Sequence, residues 1–403
     1  MNQRKQFKKY VIEKRTEFFS HMTARPLDPE SRRPVCVAVA LVLVMAAVLV
    51  AAGCMGLNGN GKYSDISVSS DVSETGYSLD ATGTTTGKNW TLAAADAAFS
   101  PRIYFSTVVF NGRMWVIGGF DDEKGFRNDV WYSPDGKDWV QANSSLDFLN
   151  HRVGQSATVF RNKIWIIGGG WGDENYGDIW CSDDGVAWRR VKSMAEFGTR
   201  SQHSTVVFNN RLWIIGGKRH SADSQLLGDA WYSDDGVSWT QATPQVAFRP
   251  MGYQNLLVLD NKVWDVGNVF YRPENGSTVE YNEIWNSVNG RDWNLVTSHG
   301  LFPARNSASA VVYNNKLWII GGYNETLGRL ADVWYSSDGS EWIQATPAAE
   351  FSINKTDAFR TTAVVFDHKM WVIQPNRKGN SFKDDVWYST EEPVASVKTY
   401  VTR

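Results

Sequence analysis

Six arginines recur along the chain at nearly regular intervals, and the guanidinium group suits them to bind an anion. Its N–H donors form a rigid fork that matches the oxygens of a carboxylate or a sulfate. One interpretation is therefore a ring of cations around an anionic ligand. The alternative is that each arginine braces a neighbouring structural unit, and sixfold repetition favours this role because a ligand rarely needs one residue type six times. The arginines are Arg102, Arg152, Arg200, Arg249, Arg305 and Arg360, which lie 48 to 56 residues apart.

A second set of candidate binding residues lies in the segments between these arginines. Trp171 follows three glycines, and an indole in an exposed loop could stack on a sugar ring or anchor a peptide. A Trp tucked into its own loop is the competing interpretation. The other candidates are Tyr176, Arg219 (with Lys218 and His220), Tyr271 and Tyr323. Together they predict a ligand that is a protein or a glycan.

Catalytic groups are not paired in the sequence. Glycoside hydrolysis usually requires two carboxyl groups about 5–10 Å apart at one site. A copper site would need paired His and Tyr ligands, and the six His show no ligand spacing. The acidic candidates in the variable segments are Asp121, Asp122, Asp173, Glu174 and Glu325. We predict a non-catalytic chain without a cofactor or a metal.

A repeated block of about 50 residues must position these side chains. Its first copy reads STVVFNGRMWVIGG and then NDVWYSPDGKDW, which predicts four strands, A to D. Strand A covers 106–110, strand B 114–117 and strand C 129–132, and strand D begins at Trp139. Asn111-Gly112 closes the A–B hairpin, and Asp135-Gly136 turns between C and D.

The tryptophans fix the register of the blocks. Strand D lacks its Trp in the sixth block, and the missing copy stands at the other end, in Gly87-Lys88-Asn89-Trp90. We therefore predict that an N-terminal outer strand around Trp90 joins the C-terminal blade and closes a ring, because two open sheet edges would otherwise remain. The Trp of strands B, C and D are Trp115, Trp165, Trp213, Trp264, Trp318, Trp371; Trp131, Trp180, Trp231, Trp285, Trp334, Trp387; and Trp139, Trp188, Trp239, Trp293, Trp342.

Over residues 88–390 this pattern resembles the kelch repeat family and the central domain of galactose oxidase. The resemblance implies an all-β, six-bladed kelch-type β-propeller. The B–C and D–A loops then share one face, here called the loop face, and the short A–B and C–D turns share the opposite turn face. Binding is expected on the loop face, because a rigid ring holds its varied loops in place. Repeat four (Asp265-Val266-Gly267-Asn268) and repeat six (Gln374-Pro375) depart from the pattern, so distortion is expected where strand B ends.

The C–D turn carries the alternative function. Ser336-x-Asp338-Gly339-x-x-Trp342 is similar to the Asp box of sialidases, with one residue fewer between Asp and Gly. The Asp box is itself a structural turn and not a catalytic centre. A sialidase-like glycosidase that uses loop carboxylates is therefore the alternative to a binding module.

The N-terminal region predicts membrane attachment. Residues 1–34 hold nine Lys or Arg against four acids, residues 35–57 carry no charge, 58–87 form a polar linker and 391–403 a tail. An apolar run of this length can span a bilayer, and the basic flank places the N-terminus in the cytoplasm and the propeller outside. Val50-Ala51-Ala52-Gly53-Cys54 resembles a bacterial lipobox, so a lipidated Cys54 and an uncleaved anchor are both open. The remainder carries a net charge of −7, which argues against a nucleic-acid partner.

Overall fold

The computed structural model describes residues 86–390 except 122, 173, 220–224, 250–251, 267–268, 272–278, 299, 325, 352–361 and 379–380. The predicted segments 1–34, 35–57 and 391–403, most of the linker, Cys54 and Arg360 lie outside these residues. Within the described part of the chain, no helix is both long and apolar enough to cross a membrane.

The first strand in the chain precedes the first two blades. It is β1 (Asn89–Ala94). Blade 1 holds β2 (Ser106–Phe110), β3 (Arg113–Ile117), β4 (Phe120–Asp121), β5 (Gly125–Phe126), β6 (Val130–Ser133) and β7 (Val140–Asn143). A single 3₁₀ turn, Asp147–Leu149, leads into blade 2. Blade 2 holds β8 (Ser156–Phe160), β9 (Lys163–Ile167), β10 (Gly170–Trp171), β11 (Glu174–Asn175), β12 (Ile179–Ser182) and β13 (Arg189–Lys192).

The next two blades repeat this order. Blade 3 holds β14 (Ser204–Phe208), β15 (Arg211–Ile215), β16 (Lys218–Arg219), β17 (Gln225–Leu226), β18 (Ala230–Ser233) and β19 (Thr240–Thr243). Blade 4 holds β20 (Leu256–Leu259), β21 (Lys262–Val266), β22 (Val269–Tyr271), β23 (Val279–Tyr281), β24 (Ile284–Ser287) and β25 (Asn294–Thr297).

The last two blades contain longer strands. Blade 5 holds β26 (Ser309–Tyr313), β27 (Lys316–Asn324), β28 (Gly328–Ser336) and β29 (Ile343–Thr346). Blade 6 holds β30 (Thr362–Phe366), β31 (Lys369–Lys378) and β32 (Ser381–Thr390). Each blade is a four-stranded antiparallel sheet, and in blade 6 the order is β30-β31-β32-β1. The predicted all-β, six-bladed propeller is confirmed.

The A–B hairpins turn as the sequence predicts. Asn111 and Gly112 have φ of 49° and 65°, and the two-residue type I′ turn requires positive φ at both positions. Arg161 and Asn162 take the same conformation in blade 2. The turn face is thus built from short, nearly identical hairpins.

Adjacent blades interlock through a Trp of strand B and the Gly of the next C–D turn. A Cβ on Gly185 would lie 2.3 Å from the ring of Trp115, so only glycine allows this contact. The same contact recurs around the ring in Trp165–Gly236, Trp213–Gly290, Trp264–Gly339, Trp318–Gly87 and Trp371–Gly136. Each blade therefore packs against the next through one aromatic ring on a glycine.

The N-terminal strand lies in blade 6. β1 pairs antiparallel with β32, with Asn89 opposite Thr390 and Trp90 opposite Ser389. Trp90 is buried and meets the ring of Phe351 edge-on at 5.0 Å. The dependence of the whole ring on this strand stays a prediction.

The departures in repeats four and six have different outcomes. β21 ends at Val266, and the two residues that follow lie outside the described part of the chain. In blade 6 the expected distortion is wrong. β31 continues through Gln374 and Pro375, which stand opposite Asp385 and Asp384 of β32, so strand pairing is kept there.

Candidate functional site

Four of the six repeated arginines are buried in ion pairs. Arg152 donates from Nη1 and Nη2 to the two carboxylate oxygens of Asp178, at 2.7 and 2.9 Å, and from Nη1 to the carbonyl of Gly168 at 2.7 Å. The aspartate precedes strand C of the same blade and also accepts a hydrogen bond from Trp180. The same arrangement joins Arg102 to Asp129, Arg200 to Asp229 and Arg305 to Asp332.

This geometry is that of a brace within each blade. Burial by itself would raise the pKa of Asp129, but hydrogen bonds and charge from Arg102 outweigh it and hold that pKa below its usual value. The pKa of Asp229 is lowered in the same way by Arg200. The prediction that Arg102, Arg152, Arg200 and Arg305 bind a ligand is wrong for these four, because their guanidinium groups are buried against carboxylates. The expected brace to a neighbouring unit is corrected as well, since the pair lies inside one blade.

The fourth and sixth copies differ. Glu283 takes the place of the aspartate in blade 4 and accepts a hydrogen bond from Trp285 at 3.0 Å. Arg249 is half-buried, and Arg360 lies outside the described residues. A ligand contact by these two arginines stays a prediction.

Trp171 packs against the neighbouring blade. Its ring stacks on Phe120 of blade 1, with centroids 5.6 Å apart and planes 5° from parallel, and meets Phe126 edge-on at 5.2 Å. The side chain is half-buried. The structure thus favours the tucked loop anchor over a free stacking platform.

The remaining predicted binding residues lie apart, each in the B–C segment of its own blade. Tyr176 lies under the guanidinium of Arg152 at 4.1 Å and donates a hydrogen bond to Glu174 at 3.2 Å. Arg219 is half-buried in β16, Tyr323 is half-buried in β27, and Tyr271 lies in β22. These residues belong to blades 2 to 5, so they do not form one compact site.

The acidic candidates are not paired either. Asp121 is buried and accepts backbone hydrogen bonds from Glu123 and Lys124 at 2.7 and 3.0 Å, which caps its own loop. Asp122, Asp173 and Glu325 lie outside the described residues. Among the residues that are described, no group of three His, Cys, Asp or Glu is placed to hold a metal ion.

The Asp of the C–D turn has a structural role in blades 1, 2, 3 and 5, and Asn289 takes its place in blade 4. Asp338 Oδ1 accepts the backbone N–H groups of Ser340 and Glu341 at 2.8 and 3.1 Å, and Ser336 Oγ accepts that of Gly339 at 2.8 Å. Burial raises the pKa of Asp338, but these hydrogen bonds outweigh it and the net shift is downward. The likeness to the Asp box therefore concerns a turn on the turn face.

A cavity of about 240 Å³ opens where the six innermost strands begin, at the loop-face end of the central channel. Residues at the starts of β2, β8, β14, β20, β26 and β30 all line it. No described residue of the lining is an Asp, Glu, Lys or Arg. This cavity brings described residues of all six repeats together around a single space.

Hydroxyl groups at the first position of strand A link neighbouring blades around the cavity. Ser106 Oγ donates to the carbonyl of Gln155 at 3.2 Å, and Ser156 Oγ lies 2.9 Å from His203 Nε2. Ser204 Oγ donates to the carbonyl of Gln254. These bonds fix the side chains that face the channel.

Three buried polar side chains at this cavity carry atoms without a hydrogen-bond partner among the described residues. They are both amide atoms of Gln155, Nδ1 of His203 and Oε1 of Gln254, and each side chain is more than nine-tenths buried. These atoms have almost no accessible surface, and Gln155 Nε2 would lie 3.4 Å from a Cβ on Gly118, so they are buried against neighbouring strands and do not open into the cavity. Burial, followed by the charge of Arg200, lowers the pKa of His203 to about 3, so its imidazole is neutral at pH 7.

Two tyrosines cover the cavity from opposite blades. The rings of Tyr104 and Tyr253 stack with centroids 6.1 Å apart and planes 15° from parallel. Their φ angles are 57° and 62°, and the equivalent Gln202 and Ser307 have φ of 59° and 55°, so this left-handed conformation is a bend of the repeat. Gly154 takes the same conformation at the equivalent position of blade 2.

The sequence contains a signal for this site that lies outside the repeated motifs. The residue just before the strand-A hydroxyl position varies between repeats while its surroundings are kept, as Phe105, Gln155, His203, Gln254 and Ala308. Of these residues, Phe105, Gln155, His203 and Gln254 line the cavity, whereas Ala308 packs in the hydrophobic core.

Comparisons with known proteins agree with the fold. Residues 69–217 match the family described as the KLHDC2/KLHL20/DRC7 Kelch-repeats domain, and residues 266–390 match the DUF6242 beta propeller domain. A solved structure titled "Structure of YjhT" superposes with a TM-score of 0.56 at 11% identity, covering 75% of this chain and 100% of that chain. No curated protein matches this sequence. The chain is a six-bladed β-propeller with kelch-type repeats, a fold that indicates an interaction module.

Proposed function

We propose that this chain is a non-catalytic binding module on the outer side of a membrane, which recognises a glycan or a protein at the mouth of its central channel. The observation that carries the proposal is the cavity on the loop face, which is lined by residues of all six blades and by no charged side chain among the described residues. Residues 35–57 would tether the module, either as an uncleaved anchor or through a lipid on Cys54.

The chemistry at the cavity favours binding over catalysis. Ser156 and His203 form a contact of 2.9 Å, but Nδ1 of His203 meets no carboxylate among the described residues, so the pair lacks the group that orients a catalytic histidine. None of the described lining residues is a carboxylate, which a glycosidase of the usual kind needs twice. The described site therefore gives no support to the glycosidase alternative.

A glycan array probed with the full chain in detergent tests the proposal. We expect binding that is lost in Tyr253→Ala, which removes one ring of the stacked pair at the cavity, and kept in Gln141→Leu, which changes an exposed Gln on the outer strand β7. Mass spectrometry of the bound glycans would show unchanged masses. Cleaved glycans would contradict the non-catalytic role, whereas a silent array would move the assignment from a glycan to a protein partner.

A further inference from the structure

We propose that Asn111, at the tip of the A–B hairpin of blade 1, is a modification site where the folded protein deamidates spontaneously to aspartate and isoaspartate. The structure describes two Asn-Gly pairs, Asn111-Gly112 and Asn289-Gly290. The inference follows from the different exposure and hydrogen bonding of these two pairs. It is independent of the proposed binding function.

Deamidation needs an Asn side chain and the backbone nitrogen of the residue that follows it. The nitrogen of Gly112 attacks Cγ of Asn111 and loses its proton to solvent, and the new C–N bond closes a succinimide ring. The Cγ–Nδ2 bond breaks, and the amide nitrogen takes a proton from solvent and leaves as ammonia. Water, the other reactant, then opens the ring at either carbonyl, which gives aspartate or isoaspartate. Glycine favours the attack because it has no Cβ to obstruct the ring.

The Asn111-Gly112 pair is open to this reaction. Both residues are exposed, and a Cβ added to Gly112 would have no heavy atom within 4 Å. Within the described part of the chain, no group accepts the N–H of Gly112 or holds the Asn111 amide by a hydrogen bond. The tip of the hairpin can therefore leave its turn conformation without breaking a side-chain contact.

The Asn289-Gly290 pair, in the C–D turn of blade 4, is held by hydrogen bonds. Gly290 N–H donates to Ser287 Oγ at 2.8 Å, and the glycine is buried against the ring of Trp213. Oδ1 of Asn289 accepts the backbone N–H groups of Arg291 and Asp292, each at 2.9 Å. Attack by the Gly290 nitrogen would first have to break these bonds, so this pair is protected.

The hairpins of blades 3 and 5 show what the glycine contributes. Asn209 and Asn314 occupy the position of Asn111, with φ of 50° and 47° against 49°. Asn210 and Asn315 follow them, with φ of 57° and 53°, and each carries the Cβ that Gly112 lacks. Among the six A–B turns, all of which are described, the turn of blade 1 alone reads Asn-Gly.

The two products differ in their effect on blade 1. Isoaspartate adds one methylene to the main chain inside a two-residue turn, next to the paired Phe110 and Arg113. The carbonyl of Phe110 also accepts the indole N–H of Trp115 at 3.0 Å. We therefore expect the isoaspartyl form to melt below the unmodified protein. Aspartate keeps the length of the turn and adds one negative charge to the turn face.

Peptide mapping by mass spectrometry of the full chain, aged in detergent in a mildly alkaline buffer, tests the site. In the folded protein we expect Asn111 to deamidate at least about tenfold faster than Asn289, because only Asn289 must first lose several hydrogen bonds. In concentrated urea those bonds are lost, so the two rates should become similar. Gly112→Asn gives the hairpin the Asn-Asn pair of blades 3 and 5, so it should fold and slow the reaction at Asn111.

Separate peptides report each pair, so Asn-Gly pairs outside the described residues do not affect the comparison; these begin at Asn58, Asn60 and Asn275. Equal rates at Asn111 and Asn289 in the folded protein would overturn the inference. A preference for Asn111 that persists unchanged in urea would overturn its structural basis, because local sequence would then set the rates. Unchanged deamidation of Asn111 in Gly112→Asn would contradict the role of the glycine.

Discussion

Single residues matter most where a charge is buried. Arg305 donates to both oxygens of Asp332 and to the carbonyls of Gly321 and Pro303, and its side chain is fully buried. Arg305→Met would leave the Asp332 carboxylate buried without its cation. We expect a loss of about 3–5 kcal/mol in the free energy of unfolding, measured by urea denaturation.

An exposed pair of the same chemistry gives the control. Arg211 and Asp234 lie 2.9 Å apart, with 41% and 64% of their side chains exposed. Arg211→Met should cost roughly 1 kcal/mol or less, because water screens the pair. Equal losses for the two variants would show that the buried pair does not brace its blade.

Two buried titratable residues give the stability opposite dependences on pH. Burial, only partly opposed by Gln254, raises the pKa of Asp265 from 3.8 to about 7, whereas burial lowers that of His203 from 6.5 to about 3. Between pH 4 and 7 the unfolded chain ionises Asp265 and the folded chain does not, so this residue makes stability fall as pH rises. Between pH 6.5 and 3 the unfolded chain protonates His203 and the folded chain does not, so stability falls as pH falls.

Melting temperatures across pH 4 to 8 separate these contributions. The melting temperature of Asp265→Asn, relative to that of the wild type, should increase as pH rises from 4 to 7. The melting temperature of His203→Gln, relative to that of the wild type, should increase as pH falls from 6.5 to 4. Differences that stay constant with pH would contradict the assigned shifts.

At the scale of elements, the blade contacts depend on glycine for two separate reasons. Gly185 has φ of 81° and abuts Trp115, whereas Gly112 has φ of 65° with no heavy atom within 4 Å of an added Cβ. Gly112→Ala should cost about 1–2 kcal/mol for backbone strain alone. Gly185→Ala should cost roughly 1–3 kcal/mol more, because the Trp ring must move.

Thermal unfolding of the two alanine variants measures the difference. The same comparison at Gly236, which abuts Trp165, would show whether the Trp–Gly contact has the same effect between the next two blades. Similar melting temperatures for Gly185→Ala and Gly112→Ala would mean that the ring of Trp115 yields without cost.

The sequence predicts the elements well because each is repeated. A single Asn-Gly or Asp-Gly pair is weak evidence for a turn, but the block recurs six times in one register and its C–D turn five times, which identifies both hairpins and the Trp positions. The site was not predictable in the same way. Gln155, His203 and Gln254 lie about 50 residues apart, and only the packing of blades 2 to 4 around the channel brings them to one cavity. The arginines are repeated in all six blocks, and in four blades the repeated arginine forms a brace.

At the scale of the whole molecule, β1 is expected to hold the ring together. Trp90→Ala should cost about 3–5 kcal/mol, because the indole is buried against Phe351, and Leu92→Ala on the same strand should cost little, because Leu92 is 40% exposed. Deletion of residues 85–95 should lower the melting temperature of the whole propeller. A deleted chain that melts at the wild-type temperature would contradict this role of β1.

The pairing of Asn89 with Thr390 places the two ends of the ring side by side. The position of the chain ends therefore decides which blade comes first in the sequence, but it does not decide how the blades pack. A circular permutant could join these ends by a short linker and open the chain at Asn111-Gly112. We expect it to keep every strand pair, every Trp–Gly contact and the whole channel mouth. Permutants opened at other hairpin turns are expected to keep the fold in the same way. The loop face would then point in a different direction relative to the segment that attaches the propeller to the membrane.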